Sequence, residues 1–541
     1  MFSWSLLLVM IRQVAAKRGN ISAPISIPPS QLFSGDDGLW STFLIEVGSP
    51  PQTVALLPGT SAFAGTTIWV VLSEGCWEAN PDLPGCASAR GGVFTRNLST
   101  SWSTQRLPNG GLAQLNTLEE GFLGVNATGA AYYGFDTVKL GISGQNLPVL
   151  QNQLIAGIAT DNYFVGSLGL SPVSFNISDL NNPLPSVLGI LRNESIVPSS
   201  SWGYTAGSAY SEPQVYGSLV FGGYDKARVG AALYDVPFSG DTSRDLQVQL
   251  QAITYNTIGS VPLLADTIHI FIDSMVSQIW LPLTVCERFE QAFNLTWNAA
   301  HQQYLVDDDV HTALAEQNPV FSFTIGSPDA DAGTVNIALP YAAFDLNTTL
   351  PIGSSRYFPL QRAQNSTQYV LGRTFLQEAY IFADYDRQNF SISQAVPPLS
   401  SASEQIIPIC APGEEHLCRQ DHAKLNGGEI AGIAVGSTGA VLAVLAVMFC
   451  LRRRRRSDGA ALAAPIAFDT EHKSNVKQAE PFLTHGAELE DIEAPLYELD
   501  RMNELRPELA GDTKLGRHIK HDSHELGTQE VAAYELEAPV R

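Results

Sequence analysis

Ile430 to Leu451 is a run of 22 residues without a charge, and Arg452 to Arg456 follow it at once. A helix over this run spans roughly 33 Å at about 1.5 Å per residue, enough for a bilayer core of about 30 Å. No other feature constrains the chain as much, because this one divides it between two compartments. Arginines stay on the cytoplasmic side, so the residues before the run are expected outside the cell and the tail 452–541 inside it. The expected topology is single-pass type I. The tail is polar, mostly acidic and weakly periodic, and is expected to be disordered. It ends in charged sequence rather than an apolar tail, so a GPI anchor is not expected. Residues 396–429 carry Pro, Ser and Gly and read as a stalk.

The N-x-S/T acceptors agree with this orientation. They stand at Asn20, Asn97, Asn126, Asn176, Asn193, Asn294, Asn347, Asn365 and Asn389, all before the apolar run. All of these but Asn20 are the expected glycosylation sites. The first residues, Met1 to Ala16, join a short apolar stretch to small residues, and 1–18 reads as a signal peptide. Lys17-Arg18 is either a dibasic processing site or an ordinary basic pair.

The 541 residues are too many for one core, and the formal net charge of −23 leaves no basic face for a nucleic acid. Six cysteines are present and none forms a C-x-x-C pair, so a zinc site is disfavoured and no metal or cofactor is implied. Cys76/Cys86 and Cys410/Cys418 are close enough in sequence to close small loops. A loop of about ten residues gains roughly 2–3 kcal/mol from lost unfolded-state entropy. Cys286 is either free or a competitor for Cys410 or Cys418. Cys450 sits at the inner membrane edge, as a plain thiol or an acylation site. Short alternating runs such as Thr42–Val47 and Ile268–Ile272 recur between turn signals, which predicts an all-β ectodomain.

Several motifs, in order, resemble the pepsin family of aspartic peptidases over residues 35–395. Ile45-Glu-Val-Gly-Ser-Pro-Pro-Gln52 resembles the family's opening strand and turn. Trp69-Val-Val71 resembles the strand leaving the first catalytic loop, and Cys76 and Cys86 follow where the family has a small disulfide loop. Tyr133-Gly-Phe-Asp-Thr-Val138 resembles the strand after the flap. Gly166-Ser-Leu-Gly-Leu170 and Gly217-Ser-Leu-Val-Phe-Gly-Gly-Tyr-Asp225 resemble two further landmarks. Phe271 to Pro282 resembles the second catalytic strand-loop-strand, and Leu371 to Leu376 with Ala383 to Arg387 the closing region. The resemblance implies a bilobal fold, with an N-lobe over about 35–225 and a C-lobe over about 226–395. It is nearest the membrane-anchored fungal type. An interlobe cleft of this kind takes an extended peptide by strand-like hydrogen bonds.

The family reaction needs one carboxylate from each lobe, sharing a proton, on loops of the form Asp-Thr/Ser-Gly. Asp273 and Ser274 fill the acid and hydroxyl positions of the second loop. Met275 replaces its Gly and is expected to strain the turn. The first acid is missing. Counting forward from Gln52 puts Gly59 at its position, and counting back from Trp69 puts Ala62 there. No Asp or Glu stands between Glu46 and Glu74. The flap tyrosine is also missing: its position falls on Gly124, and Phe122 is the one aromatic from Leu115 to Ala131. The expectation is a pseudopeptidase that binds a peptide or cell-surface ligand and has a cytoplasmic partner. The alternative is an active tethered endopeptidase that completes Asp273 with another acid, from a second chain or from a residue such as Asp266.

Overall fold

The computed structural model describes residues 22–415, apart from 79–82, 124–128, 178–180, 258, 327–332, 350–353 and 399–403. The signal peptide, Lys17-Arg18, Asn20, Asn126, Cys418, Cys450, the apolar run and the tail lie outside the described residues. Among the described residues no helix is long and apolar enough to cross a membrane.

Strands dominate and assemble into three large sheets. One sheet of eight strands belongs to the first half of the chain, another of eight to the second half. A six-stranded sheet joins them, in the order Ile25–Ile27, Val215–Phe221, Ser201–Ser208, Ala379–Asp384, Asn389–Ala395, Val229–Pro237. Its central antiparallel pair sets Ser201 opposite Asp384 and Tyr204 opposite Ile381, so the two lobes share backbone hydrogen bonds. Trp202, Tyr204 and Ile381 from this pair lie in one buried cluster with Phe43 of the first lobe and Phe321 of the second.

The halves repeat one motif. In the first, Gln52–Gly59 runs parallel to Gly166–Gly169, which is antiparallel to Ile68–Val71, itself parallel to Val149–Ile158. In the second, Ile268–Ile272 runs parallel to Val370–Leu371, which is antiparallel to Ile279–Pro282, itself parallel to Leu360–Ala363. Parallel pairs need long crossovers, and the strands buried in both repeats are rich in Ile, Val and Leu as that burial requires. The strand Trp40–Val47 departs from the expected in-out alternation. Both its faces are covered, and the one carboxylate on it, Glu46, is satisfied by the N–H and hydroxyl of Ser143, each at 2.8 Å.

The folded domain exceeds the 35–395 expected for it. Ile25–Ile27 belongs to the six-stranded sheet, and within the range read as a stalk Ile406–Pro408 pairs with Gly223–Asp225. The two make a separate two-stranded sheet, in which the backbone of Gly223–Asp225 pairs with a segment that composition alone marks as linker. Cys76 and Cys86 form a disulfide, Cys286 is buried and free, and Cys410 is disulfide-bonded to a partner outside the described residues. Arg90, fully buried beyond the disulfide loop, donates to the carbonyls of Phe164, Gly75, Thr160 and Tyr163. These bonds fasten the loop to the segment leading into Gly166. Arg90→Met should therefore leave several buried carbonyls bare and cost about 3 kcal/mol or more, read as a lowered urea midpoint at unchanged slope. A shift under about 0.5 kcal/mol would show that the loop is held otherwise.

Candidate functional site

The two repeats decide which residue faces Asp273. In the second lobe Ile272 pairs with Leu371, and Asp273 follows it. In the first lobe Pro58 pairs with Leu168, and Gly59 follows it. Leu168 and Leu371 are each succeeded by a glycine, Gly169 and Gly372. Gly59 is therefore the register counterpart of Asp273, and Ala62 is not. Ala62 lies three residues on, in a buried loop whose Gly65 N–H donates to Ser61 O and whose Gly65 O accepts from Ser171 N–H.

The next residue in each loop exchanges hydrogen bonds across the lobes. Thr60 N–H donates to Ser274 Oγ and Ser274 N–H to Thr60 Oγ1, both at 2.9 Å. The Ser274 hydroxyl in turn donates to Pro58 O at 2.6 Å. All four groups are buried, so none has water as a substitute.

Asp273 is 1% exposed, at the floor between the loops, and its Oδ1 accepts from Met275 N–H at 2.8 Å. The strain expected at Met275 is absent: it is not among the residues with positive φ. Its side chain has room because Gly59 has none. A Cβ built on Gly59 would lie 3.1 Å from Met275 Sδ and 2.5 Å from Ser167 Oγ, and Ser167 Oγ itself lies 3.3 Å from that sulfur. The thioether fills the place beside Gly59 that a side chain there would need.

A pocket opens on one side, lined by Asp36, Asp37, Trp40, Phe164, Ser167, Met275 and Arg373 among others. A smaller one lies on the other, lined by Asp273 with Thr60, Ser61, Ala62, Arg244 and Asp245. Asp266, considered above as a second acid, is exposed at the far end of the strand Ile268–Ile272. It stands roughly 20 Å from Asp273 at the rise of an extended strand, too far to share a proton. Sequence reading passed over Asp36, Asp37, Asp245 and Arg373; only the fold brings these distant positions to the loops. Among the described residues no three metal-binding side chains converge.

The segment that ends at Leu123 rests on the second lobe. Leu123 packs on Phe271 and Val370, Phe122 O accepts from Gln368 Nε2 at 2.9 Å, and Arg244 lies 5.2 Å over the Phe122 ring. Gly124, the position expected for a flap tyrosine, is outside the described residues.

A family model for eukaryotic aspartyl proteases matches residues 43–396. The chain is 25% identical over 389 residues to secreted aspartic protease 8 of Candida albicans, covering 72% of this chain and 82% of that one. It is 22% identical over 314 residues to aspartic proteinase 3 of Saccharomyces cerevisiae, covering 50% and 52%. It is 22% identical over 456 residues to aspartic proteinase MKC7 of the same yeast, covering 73% of each.

The cross-lobe exchange makes a prediction about Ser274. Ser274→Ala removes the partner of Thr60 N–H and of Pro58 O, and should cost about 2–4 kcal/mol by urea unfolding. Ser274→Thr keeps the hydroxyl and should cost clearly less. Equal losses for the two would mean that volume, not hydrogen bonding, matters there.

Proposed function

As the chain belongs to the eukaryotic aspartyl protease family, whose reaction is peptide-bond hydrolysis, we propose that its interlobe cleft still receives an extended peptide while the two-carboxylate chemistry is lost or severely impaired. The observation that carries this reading is Gly59 opposite Asp273, with Met275 Sδ where the first acid would project. In the family reaction one carboxylate takes a proton from water and the other gives one to the peptide carbonyl oxygen. Asp273 alone performs one of these tasks, and a thioether neither gives nor takes a proton at any working pH. Each task is worth about 10²–10⁴-fold.

The loss is paired with a gain in packing, so reversal requires two changes. Gly59→Asp alone should give no turnover, because its Cβ meets Ser167 and Met275. Gly59→Asp with Met275→Gly, which leaves only the Ser167 hydroxyl to rotate aside, should give measurable acid-pH cleavage of a peptide library, blocked by a pepstatin-type inhibitor. It should stay about 10²-fold below a complete enzyme, because small misplacements cost that much. The assay at pH 3–6 tests the reading directly: robust, inhibitor-sensitive cleavage by the unaltered protein would falsify it. One observation favours a second reading, retained hydrolysis. Asp245 lines the same small cavity as Asp273 and is the alternative acid there. On that reading the unaltered protein cleaves and Asp245→Asn abolishes the cleavage.

We place the ectodomain at the cell surface, anchored by 430–451, with the tail available to a cytoplasmic partner. Asn97, Asn176, Asn193, Asn294, Asn347 and Asn365 are exposed and Asn389 is half-buried, which suits glycan attachment. Glycosidase should lower the apparent mass of the protein. Protease added to intact cells should remove the ectodomain and spare an epitope after Arg456. Digestion of that epitope on intact cells would reverse the topology.

A further inference from the structure

Gly35 to Gly38 form the turn between the strands Pro29–Ser34 and Trp40–Val47 of the first lobe, yet the turn is held by the second. Asp36 O accepts from Thr349 N–H at 2.7 Å, and Asp37 O from the Tyr357 hydroxyl at 2.5 Å. The Asp37 carboxylate accepts from Arg373 Nη2 at 2.8 Å and from Trp40 Nε1 at 2.7 Å. Arg373 Nη1 in turn donates to Ser274 O at 2.8 Å and Met275 O at 3.1 Å. An unbroken series of hydrogen bonds thus runs from a turn of one lobe to the loop that carries Asp273 in the other. Asp36 is the member of this junction that no cation pairs with among the described residues; Arg373 pairs with Asp37, and Arg90 lies against Asp161.

We propose that this turn is a proton-operated clasp between the lobes, closed while Asp36 is protonated and released when Asp36 ionises, with loss of the brace on Ser274 and Met275. The groups facing Asp36 are Asp37 on its own turn, Arg373 from the helix Arg373–Leu376, Arg90 with its neighbour Asp161, and Tyr357 from the strand Ser355–Phe358. Arg90 is bound to four carbonyls, and both terminal nitrogens of Arg373 are bound to Asp37, Ser274 and Met275, so neither guanidinium turns to a charged Asp36 without breaking those bonds. Burial, then the neighbouring Asp37, push the Asp36 carboxyl from 3.8 to about 7, while its own backbone N–H, Arg373 and Arg90 pull it partly back. A raised carboxyl means that the closed turn binds the proton more tightly than the open one. Its contribution to closure is full below the ordinary carboxylate value, declines as pH rises from there through about 7, and is flat above.

The test needs no ligand, so its outcome is separate from that of the peptide-binding reading. Amide hydrogen exchange of the full-length protein is followed from pH 4 to 8.5, corrected for the intrinsic pH dependence of exchange. Segments 34–40 and 272–277 should lose protection together, by about tenfold between pH 5.5 and 8, in one transition that levels off above about 7. The core strand Val320–Gly326 should not follow. Asp36→Asn, neutral at every pH, should keep both segments protected at pH 8. The clasp is overturned if the two segments have different midpoints, if neither changes in the unaltered protein, or if Asp36→Asn leaves the transition in place. The first two outcomes need no variant, so a failure of Asp36→Asn to fold does not shelter the idea.

Discussion

Two hydroxyls and two backbone N–H groups hold the lobes in register: those of Thr60 and Ser274. The exchange is reciprocal and buried, so breaking either half strands a donor or an acceptor away from water. The positions of Asp273, Gly59 and Met275 relative to one another follow from it, because each lies within one residue of the exchange. The shared six-stranded sheet sets the lobes roughly in place, and this contact fixes the tips of the two loops against each other.

That brace and the first lobe's carboxylate are separable: this chain keeps the brace and has Gly59 in register where the second lobe has Asp273. The hydroxyl exchange serves folding, since its polar groups are buried in any state of the site. A carboxylate at position 59 serves only a reaction. Without it the space is taken by Met275 from the opposite loop, and dispersion contacts of a thioether replace hydrogen bonds of an acid. Loss of a side chain on one lobe and gain of one on the other leave the packing of the interface whole. Asp273 stays buried against the Met275 N–H, as part of a turn that no longer needs glycine.

Charge is handled in the same local way. Arg373 joins Asp37 of one lobe to two carbonyls of the other, and Arg90 gathers four carbonyls around the disulfide loop. Each guanidinium has more donors than any single acceptor uses, and a planar fork suits several carbonyls at once. Both residues act as interior connectors between segments far apart in sequence, a role that a lysine's single ammonium fills poorly.

The order of the motifs from Ile45 to Arg387 was enough to determine the family and the bilobal β-fold, because strand periodicity and turn glycines are local properties. The absence of an acid between Glu46 and Glu74 was equally plain. The choice between Gly59 and Ala62 was not, since two counts along a loop of altered length disagree and only pairing with Gly166–Gly169 resolves them. Met275 read as a strained residue because a sequence shows the side chain that is added and not the space vacated on another strand. The strand at Ile406–Pro408 read as linker for a related reason: its partner, Gly223–Asp225, lies about 180 residues earlier. Composition and short-range spacing determined what the chain could become. Tertiary structure decided which residues meet, because hydrogen-bond partners and filled volumes are set by neighbours in space.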